Sequence, residues 1–208
     1  GATFGGTVDI TGTLFGQTLG QNDVIFNDNV TINNGLKISE NGDFFLNGAV
    51  NAISSNIQVF GSGTQATVNF GVGTATTVDT DIQMDEGSMN IDGTVTVSGN
   101  VNFVNQRTTT VGTTGNLMVG GDVTITTTSA SAGLLIEGNV SVDGDVAISN
   151  NAGTIELENG STLEANSIDI TSNSGSSSLI NDGEITTNSL TAGGASILDC
   201  DGTNPTGI

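Results

Sequence analysis

The stretch LLIEGNVSVDGDVAISN, Leu134 to Asn150, decides the fold. Within it, Gly138-Asn139-Val140-Ser141-Val142 is followed six positions later by Gly144-Asp145-Val146-Ala147-Ile148. Each half places apolar residues two apart and small or polar residues between them, the period of a short strand. The glycine that opens each half, with Asp143 before Gly144, marks a sharp corner, because glycine tolerates positive φ. Two strands this short cannot bury an apolar face by themselves, so other strands must lie above and below.

The rest of the chain supplies them. Val146/Ile148 recurs upstream as Val123/Ile125 and Val101/Phe103, and downstream as Ile168/Ile170 and Leu190/Ala192, in steps of 22 or 23 residues. Val140/Val142 follows the same step through Val95/Val97, Leu117/Val119, Leu163/Ala165 and Ile185/Thr187. A third strand precedes both, at Met89/Ile91, Val111, Leu134/Ile136, Ile155/Leu157 and Leu179. Nearer the N-terminus, Val24/Phe26, Val30/Ile32 and Leu36/Ile38 map onto Phe44/Leu46, Val50/Ala52 and Ile57/Val59, with Val8/Ile10 and Leu14 as an opening coil. A repeat of this length is a solenoid signal.

The expected fold is all-β: one parallel β-solenoid of about nine coils of about 22 residues, three short strands to a coil, roughly 43 Å long. Corners of four or five residues, such as Ser149 to Gly153, do not suit a plain hexapeptide helix of about 18 residues per coil, so a right-handed helix is expected. Residues 1–208 read as one domain, divided into Phe-containing coils over 1–63, an irregular coil over 64–86, regular aliphatic coils over 87–199 and a polar tail over 200–208. All eight Phe lie between Phe4 and Phe103, so the core turns aliphatic along the rod.

Composition narrows the function. The formal net charge is −20, and Lys37 and Arg107 are the only basic side chains. That excludes nucleic acid as a partner and disfavours anionic membranes, both of which require clustered cations. No stretch is long and apolar enough for a membrane span. The chain begins Gly1-Ala2-Thr3, as a processed protein or a fragment would, and its Thr-, Asn- and Gly-rich composition suits an exported, extracellular or cell-surface protein whose signal peptide has been removed.

GTVTVSGNVNF at Gly93–Phe103 and GNVSVDGDVAI at Gly138–Ile148 resemble the repeats of bacterial β-helical surface proteins of the filamentous haemagglutinin and autotransporter type. With FNDNVTINNGLKI at Phe26–Ile38, they are also similar to phage tail-fibre shafts. The resemblance implies a parallel β-helix in extracellular structural or adhesive use, and brings no enzyme signature with it.

Candidate chemistry is sparse. There is no His, the commonest general base, and no Trp or Tyr on which a sugar could stack. Asp143 and Asp145 could pair as glycosidase carboxylates, but their spacing follows from the strand-corner pattern itself. No catalytic residue and no cofactor is assigned. Asp79, Asp81, Asp85 and Glu86 form the densest acidic cluster and are the Ca2+ candidates, although the EF-hand and glycine-rich calcium repeats are absent and a solvated turn is favoured. Cys200, between Asp199 and Asp201, has no base to activate it; an intermolecular disulfide is its functional alternative. A Thr rank for ice binding is missing, because one outward column runs Thr96, Met118, Ser141, Glu164, Thr186.

What remains is the pair of ends. A solenoid end exposes unpaired backbone above an apolar core unless something caps it. Phe4, Val8 and Ile10 lie near one end and Leu190, Ile197 and Leu198 near the other, with no capping helix evident. The sequence therefore points to a non-enzymatic protein that self-assembles with copies of itself through its ends, as a filament, sheath or surface layer. The alternative is the shaft or binding module of an adhesin or tail fibre. Divalent cations and cell-surface glycans are the further partners considered.

Overall fold

Val140 pairs in parallel with Leu117 on one side and Leu163 on the other, and Val146 with Val123 and Ile168. This stacking recurs throughout the computed structural model, which describes residues 1–208 except 17–22, 40, 61–65, 105–106, 127–132, 150–152, 173–176, 195–196 and 201–208. For 149, 171–172, 194 and 197–200 only the backbone is described.

Coil 1 comprises Ala2–Phe4, Val8–Ile10 and Leu14–Gly16; coil 2, Val24–Phe26, Val30–Ile32 and Leu36–Ile38; coil 3, Phe44–Leu46, Val50–Ile53 and Ile57–Val59. Coil 4 is Thr67–Phe70, Ala75–Val78 and Ile82–Met84; coil 5, Ser88–Ile91, Thr94–Val97 and Val101–Val104; coil 6, Thr109–Val111, Asn116–Val119 and Val123–Thr126. Coil 7 is Gly133–Ile136 and Asn139–Ser149; coil 8, Thr154–Leu157 and Thr162–Ser172; coil 9, Ser178–Asn181 and Glu184–Gly194. Ile197–Cys200 then pairs with Ser178–Asn181. The first strands of successive coils form a ten-stranded sheet, and the second and third strands form a fifteen-stranded one. The chain is thus a single all-β parallel solenoid.

Several expectations need correction. Coils 7 to 9 do not keep three short strands: their second and third strands fuse into single strands of 11 residues. The corner also shortens between coils 7 and 8. Asp143-Gly144 separates Val142 from Asp145 in coil 7, whereas only Asn166 separates Ala165 from Ser167 in coil 8, and the register shifts there. Coil 7 keeps the three-residue corner of coils 5 and 6, so its strand is continuous one coil before the residue is lost. The second correction concerns Val50/Ala52, which point outward, with Val50 59% exposed. Asn51 and Ile53 face the core instead. Asn51 is tolerated there because its amide donates to the Gly48 carbonyl (3.0 Å) and Thr76 Oγ1 (3.2 Å), while its Oδ1 accepts from the Val30 N–H (3.3 Å). Residues 66–86, expected to be irregular, form coil 4 in register with coils 3 and 5. Asn51 and Thr76 occupy adjacent inward positions, which is why the apolar period fades here.

The core is one continuous apolar column from Phe26 to Ile185. Phe26, Phe44, Phe70 and Phe103 fill it in the N-terminal half, and Val, Leu and Ile beyond. Burying each such side chain contributes about 1.5–3 kcal/mol.

Glycine serves the corners differently from expectation. Gly138 and Gly144 do not have positive φ; Gly35, Gly73, Gly87 and Gly160 do. A Cβ on Gly144 would instead strike Asp122 Oδ1 and approach the Gly121 carbonyl at 2.7 Å, so close approach between coils excludes a side chain. The same holds for Gly99 against Asp81 and Gly121 against Asn100. Those oxygens form a ladder along the corner between the second and third faces. Asp81 accepts from the Asn100 N–H (2.7 Å), Asn100 from the Asp122 N–H (2.8 Å), and Asp122 from the Asp145 N–H (2.9 Å). The repeated Gly-Asx dipeptide is therefore one device: Asx caps the coil above, and Gly makes room for the cap below.

The corner between the first and second faces alternates from coil 4 onward. Gly71–Thr74, Gly112–Gly115 and Glu158–Ser161 have four residues; Asp92-Gly93, Glu137-Gly138 and Asp182-Gly183 have two. Each long corner is a β-turn closed from its fourth N–H to its first carbonyl, at 3.2, 2.7 and 3.0 Å. The glycine of the following short corner is buried against the turn's base; a Cβ on Gly183 would lie 2.7 Å from the Ser161 carbonyl and 3.0 Å from that of Glu158.

Replacing Val146 with Asp puts an unpaired carboxylate between three coils and should cost at least about 4 kcal/mol in denaturant unfolding, whereas Ser141→Ala should change stability by no more than about 0.5 kcal/mol. Gly138→Ala, which drives a methyl into the Gly112 and Gly115 carbonyls, should cost about 2 kcal/mol. Gly160→Ala, strained in φ but facing open space, should cost about 1 kcal/mol by the same measurement.

Candidate functional site at the solenoid ends

The ends are where the ladder's satisfaction stops. At the N-terminal end, coil 1 pairs with coil 2 along all three faces, and its opposite edge has no strand among the described residues. Its core positions show the consequence. Phe4 is 40% exposed, and Val8, Ile10 and Leu14 are half-buried, while their equivalents Phe26, Val30, Ile32 and Leu36 are buried. Phe4 lies flat on Phe26, ring centroids 5.0 Å apart and 10° between planes, so the apolar stack reaches the end of the rod. Phe15, 50% exposed, meets Phe60 edge to face at 6.1 Å on the outer surface.

At the C-terminal end Ile185 and Thr187 are buried and Leu190 is half-buried. Ile197 is in register with Ser178, Leu198 with Leu179 and Cys200 with Asn181. The side chains of Ile197, Leu198 and Cys200 lie outside the described residues, as do Asp201 and the tail after it.

The other candidates are taken up structurally. Asp81 is the first rung of the corner ladder, and Asp85 accepts from the Gln83 amide. Among the described residues no three His, Cys, Asp or Glu side chains gather as a group that could hold a metal ion, so Asp79, Asp81, Asp85 and Glu86 are not brought together as one. Asp143 lines an open groove of about 270 Å3 over the flattened corner of coils 7 to 9, with Glu164, Asn166, Thr186 and Asn188. Asp145, by contrast, accepts from Ser167 Oγ and the Asn166 amide, both at 2.8 Å. Those bonds, Ser167's first, hold its carboxyl below its ordinary value. A carboxylate stabilised in its charged form makes a poor proton donor, so Asp145 is unsuited to the acid's part in glycoside hydrolysis. The outward column Thr96, Met118, Ser141, Glu164, Thr186 stacks as expected and is no Thr rank.

Among the described residues no helix is long and apolar enough to cross a membrane. No protein-family model, curated protein or solved structure matches the chain.

Because the folded-state pKa of Asp145 is depressed, its contribution to stability is fully present above the ordinary carboxylate value of 3.8 and is lost as pH falls below it. Ser167→Ala removes the larger cause, so the Asp145 carboxyl resonance should titrate at higher pH in the variant than in the parent when followed by NMR.

Proposed function

We propose that this protein is a non-enzymatic, extracellular structural subunit that polymerises end to end through its solenoid, giving a filament, sheath or surface layer. The supporting observation is the N-terminal coil, where an open edge on three faces coincides with half-exposed Phe4, Val8, Ile10 and Leu14. Stacking a second copy's C-terminal coil there, whose second and third strands run on as one, would satisfy the edge's N–H and C=O groups while burying that apolar surface. The three-residue corner Thr11–Thr13 would then meet the shorter corner Asn188-Ser189. The chain already makes such a step between coils 7 and 8.

A head-to-tail contact of this kind does not close on itself, so it propagates. Opposing it is the net charge of −20, which keeps subunits apart at low ionic strength. Assembly should therefore require salt or divalent cations. The extracellular setting is inferred from composition and from the scarcity of basic residues, which leaves trypsin-like proteases few places to cut.

Negative-stain microscopy across a salt series tests this. Strings of rods should lengthen with ionic strength, and Phe4→Asp combined with Ile10→Lys should reduce them to single short rods with unchanged far-UV CD. Single rods of the parent at every concentration and salt would overturn end-to-end assembly and favour a shaft whose edges are continued by flanking chain.

A further inference from the structure

The alternating corner between the first and second faces builds a row of teeth along one edge of the rod. Strands on both sides of this corner pair in register with their neighbours, so the two extra residues of each long corner must project outward. Val72 and Gly73, Thr113 and Thr114, and Asn159 and Gly160 are all exposed; Val72, at 73%, is the most exposed large apolar side chain among the described residues. The short corners between and beyond them are valleys whose glycines Gly93, Gly138 and Gly183 are buried. Teeth recur every second coil, a spacing of about 9.6 Å.

We propose that this edge is a lateral interface that pairs two copies of the chain side by side, antiparallel, with the teeth of each seated in the valleys of the other. The proposal rests on the assembly reading above and adds to it a second, independent contact. Two features favour a second copy as occupant. The first is period: a partner must present valleys about 9.6 Å apart, and this chain's own edge does so. The second is chemistry. The tips bear no charge, and Thr113 and Asn159 offer hydroxyl and amide donors, while the Thr114 hydroxyl donates to the Asp92 carbonyl (2.7 Å). The valleys carry the carboxylates Asp92, Glu137 and Asp182, which are acceptors. Tip against valley therefore joins donor to acceptor, whereas valley against valley would set carboxylate against carboxylate. A two-fold axis perpendicular to the rod makes the contact self-complementary and leaves both ends free.

The test is sedimentation velocity at moderate salt, using the end-blocked protein (Phe4→Asp, Ile10→Lys) so that strings cannot obscure pairing. It should form a dimer, and adding Val72→Asp, Thr113→Asp and Asn159→Asp should weaken dimerisation about tenfold or more with unchanged CD. A control carrying Asp at the outward Thr77, Thr96 and Thr124, the same added charge on faces away from the teeth, should pair as the parent does. A parent that never dimerises, or equal losses in the tooth and control variants, would overturn the lateral interface. Strings without pairs would refute this interface and leave end stacking intact; pairs without strings would do the reverse.

Discussion

The parallel backbone ladder is the constraint from which the other features follow. Because coils rise by about 4.8 Å and pair without offset, each residue rests on its equivalent one repeat away. A side chain is therefore selected less by its neighbours in sequence than by the two residues above and below it. This is why the inward columns are largely series of Val, Ile and Leu, and why Asn51, a polar residue inside the column, draws partners from the coils on either side. Asn51 and Thr76 occupy adjacent coils and share a hydrogen bond.

The same constraint accounts for the corners. Backbone segments at a corner approach more closely than strands do, so the Cβ of a residue there competes with carbonyl or carboxylate oxygens of the coil below. Gly144 and Gly138 are glycine for want of space rather than for want of a left-handed backbone. Once glycine has made that space, an Asx side chain can reach across it to cap the next N–H, and the Asp81-Asn100-Asp122-Asp145 ladder results. The ladder stops at Asp145, and in the next coil the corner is one residue shorter.

The strands were legible in the sequence because an apolar residue at every second position repeats at a fixed step, and that signal survives even where single positions fail. The phase of Val50 was not legible: Val50 and Ala52 are as apolar as a core pair, and only the hydrogen bonds around Asn51 reverse the choice. The Gly-Asx ladder was visible as Gly99-Asn100, Gly121-Asp122 and Gly144-Asp145, at the same step as the strands. It was assigned to backbone conformation because contact between coils cannot be read from one coil's sequence. The long and short corners escaped for a related reason: a repeat of about 22 residues absorbs an alternation of two as scatter, whereas a two-coil period turns it into order.

The ends and the toothed edge are complementary in kind. Among the described residues each inner coil pairs its backbone with both neighbours and covers their apolar core, whereas coil 1 keeps an edge without a strand and a half-exposed Phe4. On its sides the rod is closed, and any contact there must come from relief and charge rather than from backbone. A chain with 22 carboxylates and two basic residues can approach a copy of itself only where carboxylates are absent from one of the two surfaces. The tips of the long corners meet that condition, since none of Val72, Gly73, Thr113, Thr114, Asn159 or Gly160 is charged. The strong acidity of the rod weighs against association wherever carboxylates would meet, and the proposed contact at the toothed edge avoids that opposition.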